Sequence, residues 1–247
     1  MTLVVEALSE TPVARRRIEL VERKGLGHPD TLSDSLVEAI SLGLNRMYRE
    51  RAGSICHYNI DKAPLVAGQC VKGFGWGELT QPIELIVGDR ATFTVNGRRL
   101  PVEETARLAV DEWVAAHLPH VRPGKDLKTR IALAPGSEEL RRIFKDGPAA
   151  LGSNDTAGAS GYAPLSPTEA IVLAVERFLN SAEFKRRFHD TGQDVKVLGI
   201  RRDDTLALTV AMPFLCSEIG SESGYFRRKA EALAALGERF RDAPFSI

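Results

Sequence analysis

Residues 23–30, read as Arg-Lys-Gly-Leu-Gly-His-Pro-Asp, run straight into Thr31-Leu32-Ser33-Asp34-Ser35-Leu36, and this junction constrains the chain around it. Upstream, residues 12–22 alternate in the manner of a strand. Downstream, Leu32, Leu36, Ile40, Leu44 and Met47 recur at helical spacing over 29–51, opposite Asp34, Glu38, Asn45 and Arg49, until Gly53 stops the helix. Gly25 and Gly27 allow a tight turn and a close approach of backbone to a ligand. Pro29 suits a first helical turn, where its missing N–H is no loss. The free N–H groups and positive dipole end of such a helix attract anions, and Lys24 and His28 add positive character. Asp30 and Asp34 stand one helical turn apart, which suits a hard cation such as Mg²⁺ held by few protein ligands. The same residues read equally as a plain glycine turn before a helix, with Asp30 as a residue of the cap. The phosphate-loop pattern G-x-x-x-x-G-K-[ST] is absent.

Composition narrows the classes further. The 33 Lys and Arg balance the 33 Asp and Glu, so net charge gives no push toward nucleic acid or a membrane surface. Cys56, Cys70 and Cys216 are scattered without a C-x-x-C pair, which argues against a zinc site or a disulfide framework and suits a reducing compartment. The first residues lack a signal-peptide pattern and no apolar run approaches membrane-spanning length, so a cytoplasmic protein is expected. A length of 247 residues accommodates one large domain or two smaller ones.

Strand-like runs follow at 54–61, 63–72, 81–88 and 91–95, and Asn96-Gly97 marks a hairpin before Arg98-Arg99-Leu100. Between them, Gly73-Phe74-Gly75-Trp76-Gly77 reads as a flexible connector. Pro101 opens a second helix to His117, with Leu108, Val110, Trp113 and Val114 expected inside. A polar connector over 119–128 precedes a strand at 129–134, and Ser137 is expected to cap a short helix at 138–144. Residues 146–168 are rich in Gly, Ala, Ser, Asn, Asp and Pro, a length unusual for an idle loop. Ser166 with Glu169 three positions later predicts a capping box at the head of a helix over 167–180 that packs Ile171, Val175 and Phe178. A short helix at 181–188, strands at 193–200 and 205–214 around a turn at Asp203-Asp204, and a helix at 221–240 complete the run. Residues 243–247 look like the start of another strand.

Without strict β-α alternation, and with prominent hairpins, the fold class expected is α+β, with helices packed on mixed or antiparallel sheets. Two β-rich units are expected, 1–128 and 129–247, without a fixed sequence period.

Five segments come in one order: Lys24-Gly25-Leu26-Gly27-His28-Pro29-Asp30, Asn59-Ile60-Asp61, Asn154-Asp155-Thr156, Gly161-Tyr162-Ala163-Pro164-Leu165-Ser166 and Asp194-Val195-Lys196. Together they resemble the archaeal-type methionine adenosyltransferases, or S-adenosylmethionine synthetases, over about 21–212. The resemblance implies repeated α+β units, three in the family, of which this chain supplies roughly two; the absent third would carry further metal-binding acids and phosphate-binding bases. It implies formation of S-adenosylmethionine from ATP and L-methionine, or a related thioether, with Mg²⁺ and K⁺. It further implies a homodimer or higher oligomer, joined across flat sheets. Alternatives are a shortened or diverged homologue that binds nucleotide and needs a partner subunit, and a non-catalytic regulatory partner.

By the same resemblance, His28 meets the triphosphate near the ribose, Lys196 lies along the phosphates, and Asp155 holds the methionine ammonium or neighbouring substrate groups. Asn59 and Asp61 lie by resemblance near the ATP pocket and Asp30 on Mg²⁺; with the residues of the turn and loop read above, the nucleotide-binding set is Lys24, Gly27, His28, Asn59, Asp61, Asn154 and Lys196, and the metal-binding set Asp30 with Asp34. The sequence departs from the family pattern at Lys62 and Trp76, where an uncharged polar residue and a glycine are expected. Read without the family, Lys196 is an exposed strand lysine, Asp155 a turn residue, and Asn59 and Asp61 a strand end.

Overall fold

A computed structural model describes residues 3–7, 9–137 and 161–242. The elements run β1 (Ile18–Lys24), α1 (Pro29–Ala52), β2 (Tyr58–Lys62), β3 (Leu65–Val66), β4 (Gln69–Gly73), β5 (Trp76–Gln81), β6 (Ile83–Ala91), β7 (Thr94–Val95) and β8 (Arg98–Arg99). They continue as α2 (Val102–His117), β9 (Leu127–Pro135), α3 (Pro167–Leu179), α4 (Ala182–Arg187), β10 (Lys196–Arg202), β11 (Thr205–Ala211) and α5 (Glu222–Arg239). The architecture is α+β. The chain divides into a flanking unit (Met1–Gly25, Ser160–Phe214, Glu222–Ile247) and an inner unit (Leu26–Ala159, Leu215–Ser221). This is not the division at 128 expected from element order. β1 pairs antiparallel with β10, and β9 pairs with β6, so both ends of the expected first unit are claimed by partners remote in sequence.

In the flanking unit the strand order is β1-β10-β11, all antiparallel. Alternation turns Glu19 and Val21 of β1, and Val197, Gly199 and Arg201 of β10, toward the helices. There Ile171, Val172, Val175 and Leu179 of α3 close the core with Phe184, Phe188, Ala232 and Ala235. Gly199 is required by this packing: a Cβ would lie 2.6 Å from a Val172 methyl. The expected capping box is present, with Glu169 N–H donating to Ser166 Oγ at 3.1 Å and Ser166 N–H to Glu169 Oε2 at 2.6 Å. α5 is tied down by Arg228, whose guanidinium donates two 2.6 Å hydrogen bonds to Asp190 and lies over the Phe188 ring.

A charged pair sits inside this unit. Glu19 is 4% exposed and Arg201 6%. Ser166 Oγ donates to Glu19 Oε1 at 2.5 Å, and Arg201 Nε donates to Glu19 Oε2 at 3.3 Å and Thr168 Oγ1 at 3.2 Å. The remaining guanidinium nitrogens reach the carbonyls of Asp203 and Arg16. Burial pushes the Glu19 carboxyl up, but Ser166, Thr168 and Arg201 together outweigh it and hold the group below its ordinary value.

In the inner unit, β2 and β3 run one after the other along one edge of β6, both antiparallel to it, and β9 lies along the other edge, parallel. The parallel pair requires a crossover, which α2 supplies. α1 buries Leu32, Leu36, Ile40, Leu44 and Met47 as its spacing predicts, and ends at Gly53 in the left-handed region (φ +79°). Gly43 lets α2 come close, since a Cβ there would touch Ala109 at 3.3 Å. Tyr48 is fully buried, its hydroxyl donating to Thr92 O at 3.0 Å and accepting from Thr92 N–H at 3.1 Å. On α2, Leu108 faces solvent, contrary to expectation, because Ala106, Ala109, Val110 and Val114 form the buried stripe. The supposed connector 73–77 is the tip of a hairpin: β4 pairs with β5 down to Gly73 opposite Trp76. Gly75 (φ +81°) makes the turn and donates its N–H toward Cys216 O and Ile219 O. The Asn96-Gly97 turn joins β7 and β8 as expected. The expected helix at 138–144, residues Asn154, Asp155 and Thr156, and the terminal strand at 243–247 lie outside the described residues.

Replacing Arg201 by Met leaves Glu19 buried without its counter-charge, so Arg201→Met is expected to cost about 3–5 kcal/mol in urea unfolding. A loss within ~1 kcal/mol would show that Ser166 and Thr168 alone satisfy the carboxylate.

Candidate active site

Each unit carries part of the expected residue set. In the flanking unit, antiparallel register sets Lys24 of β1 directly opposite Lys196 of β10. Alternation places both on the sheet face away from the helices, together with Glu22. The Glu22 carboxylate lies between the two ammonium groups, 2.7 Å from Lys196 Nζ and 3.6 Å from Lys24 Nζ. Its pKa is held low, first by the hydrogen bond from Lys196 and then by the charge of both lysines. Facing lysines repel, and the Glu22 carboxylate between them relieves that repulsion. Next to it, Gly25 N–H donates to Val195 O at 2.7 Å. Gly25 is required there by its own fold: a Cβ would fall 2.7 Å from both Asn180 Nδ2 and Glu176 Oε1.

In the inner unit, His28 is the N-cap of α1. Its Nδ1 accepts from Asp30 N–H at 3.2 Å, so in the neutral form of the ring the proton is on Nε2. Pro29 takes the first helical position and Asp30 the first turn. Ser33 Oγ donates to Ala63 O at 2.5 Å, tying this helix start to the chain just beyond β2. On β2, Asn59 is exposed opposite Arg90. Asp61 is paired with Lys62 Nζ at 2.6 Å, and that lysine holds its carboxyl below the ordinary range. Lys62, unexpected in the family pattern, is therefore the counter-ion of Asp61, with Asp89 3.9 Å away. Trp76, the other departure, covers Gly73, where a Cβ would meet the indole, and is half exposed.

Asp34 is exposed and lines an open groove between α1 and α2 with Glu38, Leu42, Arg46, Trp113 and His117. Among the described residues, no three His, Cys, Asp or Glu side chains assemble into a metal-sized cluster. The structure thus brings Lys24 together with Lys196, and His28 with Asp30. Gly27 is half-buried within the turn. Sequence reasoning missed Glu22 and the Glu176–Asn180 pair; the alternation of β1 carries a signal for Glu22, which shares the parity of Lys24.

Residues 1–243 match the family described as S-adenosylmethionine synthetase (AdoMet synthetase). The chain belongs to that family. It is 38% identical over 239 residues to the S-adenosylmethionine synthase of Pyrobaculum neutrophilum, covering 95% of this chain and 60% of that protein. It is 41% identical over 234 residues to that of Aeropyrum pernix, covering 93% and 58%. The synthase of Pyrococcus furiosus matches at 37% over 239 residues, covering 96% and 59%. The chain therefore spans about three fifths of the length of these family members. A solved S-adenosylmethionine synthetase from Campylobacter jejuni aligns over 89% of this chain and 53% of its own, at 12% identity and a TM-score of 0.45, too loose a likeness to carry an argument. Among the described residues, no helix is long and apolar enough to cross a membrane.

Because the Glu22 pKa is depressed in the folded state, its contribution to stability is present above the unfolded glutamate pKa and is lost as pH falls through the lowered value. An NMR titration is expected to find this carboxyl below an ordinary glutamate, and to find it displaced upward in Lys196→Met. An unmoved titration would show that Lys196 is not its partner in solution.

Proposed function

We propose that this chain takes part in methionine adenosyltransfer, forming S-adenosylmethionine from ATP and L-methionine. The methionine sulfur attacks C5′ of ATP, the C5′–O bond breaks, and the triphosphate leaves with the bond's electron pair. Water then cleaves it to pyrophosphate and phosphate. Sulfur is already nucleophilic, so the reaction asks chiefly for in-line positioning and for positive groups around the departing triphosphate.

The observation that carries this reading is the His28-capped start of α1 in a chain of this family. A neutral imidazole with its proton on Nε2, at the positive end of the helix dipole, is suited to donate to a phosphate oxygen. Lys196 and Lys24 are assigned to phosphate oxygens, where compact ammonium groups follow a moving charge. Asn59 and Asp61 are assigned to the nucleotide, and Asn154 and Asp155, on family resemblance alone, to the nucleotide and the methionine ammonium.

Asp30, exposed on the first turn of α1 with Asp34 one turn on, fits Mg²⁺ held by one or two carboxylates and completed by phosphate and water. The ion would offset charge on the leaving triphosphate. K⁺ is assigned on family resemblance. Three free cysteines, one of them exposed, suit a reducing cytoplasm.

The open face of the flanking sheet carries Leu20 (65% exposed) and Ile18 beside Ile200. A second copy of this chain, presenting the same apolar face, is the proposed occupant. Sedimentation velocity at micromolar concentration is expected to show a dimer that Leu20→Asp converts to monomer. A monomeric wild type would remove this interface.

Incubation with ATP, L-methionine, Mg²⁺ and K⁺, read by mass spectrometry, is expected to yield S-adenosylmethionine. His28→Ala should lower the rate by about 10²–10³, and Lys196→Ala should do likewise. Absence of product with ATP still bound would favour the diverged or partner-dependent homologue, and absence of both would overturn the proposal.

A further inference from the structure

Glu176 occupies the last turn of α3, where the helix dipole disfavours a carboxylate, and its side chain is 7% exposed. Its oxygens are divided between two donors: Asn180 Nδ2 reaches Oε1 at 3.0 Å, and Arg23 Nε reaches Oε2 at 3.4 Å. Asn180 also directs Nδ2 toward Gln193 O at 3.5 Å, while its own Oδ1 is buried without a hydrogen-bond partner. The asparagine is thus used as a donor, and its unused acceptor is carried as a cost. Against this pair rests Gly25, with no room for a Cβ and with its N–H on Val195 O. Arg23 and Gly25 are the two neighbours of Lys24, and Val195 is the neighbour of Lys196.

We infer that Glu176 and Asn180 are positioning residues for the lysine pair Lys24 and Lys196, acting by clamping the chain on either side of Lys24 from the helix-covered face of the sheet. Successive strand residues point to opposite faces, so holding Arg23 and Gly25 inward fixes Lys24 outward and in register with Lys196. A buried acid in a last helical turn is poor value as packing, since an apolar side chain would serve at less cost. What it supplies is a two-sided acceptor at the strand end, which no apolar residue offers. The inference rests on the phosphate-binding reading of the two lysines, and it adds the residues that hold them in place.

The test uses the full chain and inorganic tripolyphosphate as the probe, with affinity measured by calorimetry. In Glu176→Gln one of the two carboxylate oxygens becomes an NH2 donor, so either Asn180 Nδ2 or Arg23 Nε then faces a donor in place of its acceptor. The variant is expected to bind tripolyphosphate about tenfold more weakly than wild type. Loss of a negative charge alone would have the opposite sign and strengthen binding. Asp190→Asn, which loosens Arg228 elsewhere in the same unit, should lower the melting temperature and leave the affinity unchanged, separating positioning from general stability. Amide exchange read by NMR should accelerate at Gly25 in Glu176→Gln and in Asn180→Ala, with Ile200 unchanged.

Equal or tighter tripolyphosphate binding by Glu176→Gln would overturn the inference, as would unchanged exchange at Gly25. Wild-type binding that is absent, or that survives Lys24→Met with Lys196→Met, would instead overturn the phosphate reading. In that case Gly25 exchange still decides whether the clamp exists.

Discussion

The pairing of β1 with β10 is the constraint on which the flanking unit depends, and Glu19 with Arg201 is its fixed point. The two residues face each other across the strands and share the helix-covered side. A slip of one position would send every side chain of β1 to the opposite face, carrying Glu19 into solvent and Lys24 into the core. A buried pair of this kind adds little net stability, but breaking it is costly, so it penalises the wrong register more than it rewards the right one. The carbonyls of Asp203 and Arg16 complete the guanidinium's partners, which extends that penalty to the turn after β10 and the chain before β1.

The inner unit solves a different problem. β6 is flanked by antiparallel β2 and β3 on one edge and parallel β9 on the other, and α1 and α2 cover the resulting core. The start of α1 is held by Ser33 on Ala63 O, and its cap is a histidine rather than the usual hydroxyl or carboxylate residue. An imidazole satisfies the helix N–H with one nitrogen and keeps a donor on the other, which Ser, Thr or Asp at the same position would not leave in the same form.

Local signals were readable in the sequence wherever the physics was local. The helix 29–52, the Ser166–Glu169 box and the Asn96-Gly97 turn each follow from residues within a few positions of one another. Partner choice was not readable, because nothing in 18–24 names residues 196–202, and nothing in 127–135 names 83–91. That is why the expected division at 128 gave way to a flanking and an inner unit. Glycines misled for a related reason: 73–77 has the composition of a connector, and only the pairing of Gly73 with Trp76 makes it a hairpin tip. For the proposed site, the sequence offers His28, Asp30, Lys24 and Lys196 as residue types only. Glu22 and Glu176 acquire meaning only from the lysines, arginine and asparagine that the fold sets against them.

The lysine cluster shows why its geometry matters more than its charge count. Two ammonium groups at facing positions are unfavourable, and Glu22 relieves that repulsion. Lys196 remains about a third exposed, as does Lys24, so both stay within reach of an anion from solvent. If the proposed phosphate site is right, an arriving polyphosphate competes with Glu22 for the same donors, and the net gain on binding is the difference between two anions rather than the full attraction of either. Such a difference depends on distances of a few tenths of an ångström. Buried acceptors on both sides of Lys24, Glu176 for Arg23 and Val195 O for Gly25, are the contacts that would hold such distances in the proposed site.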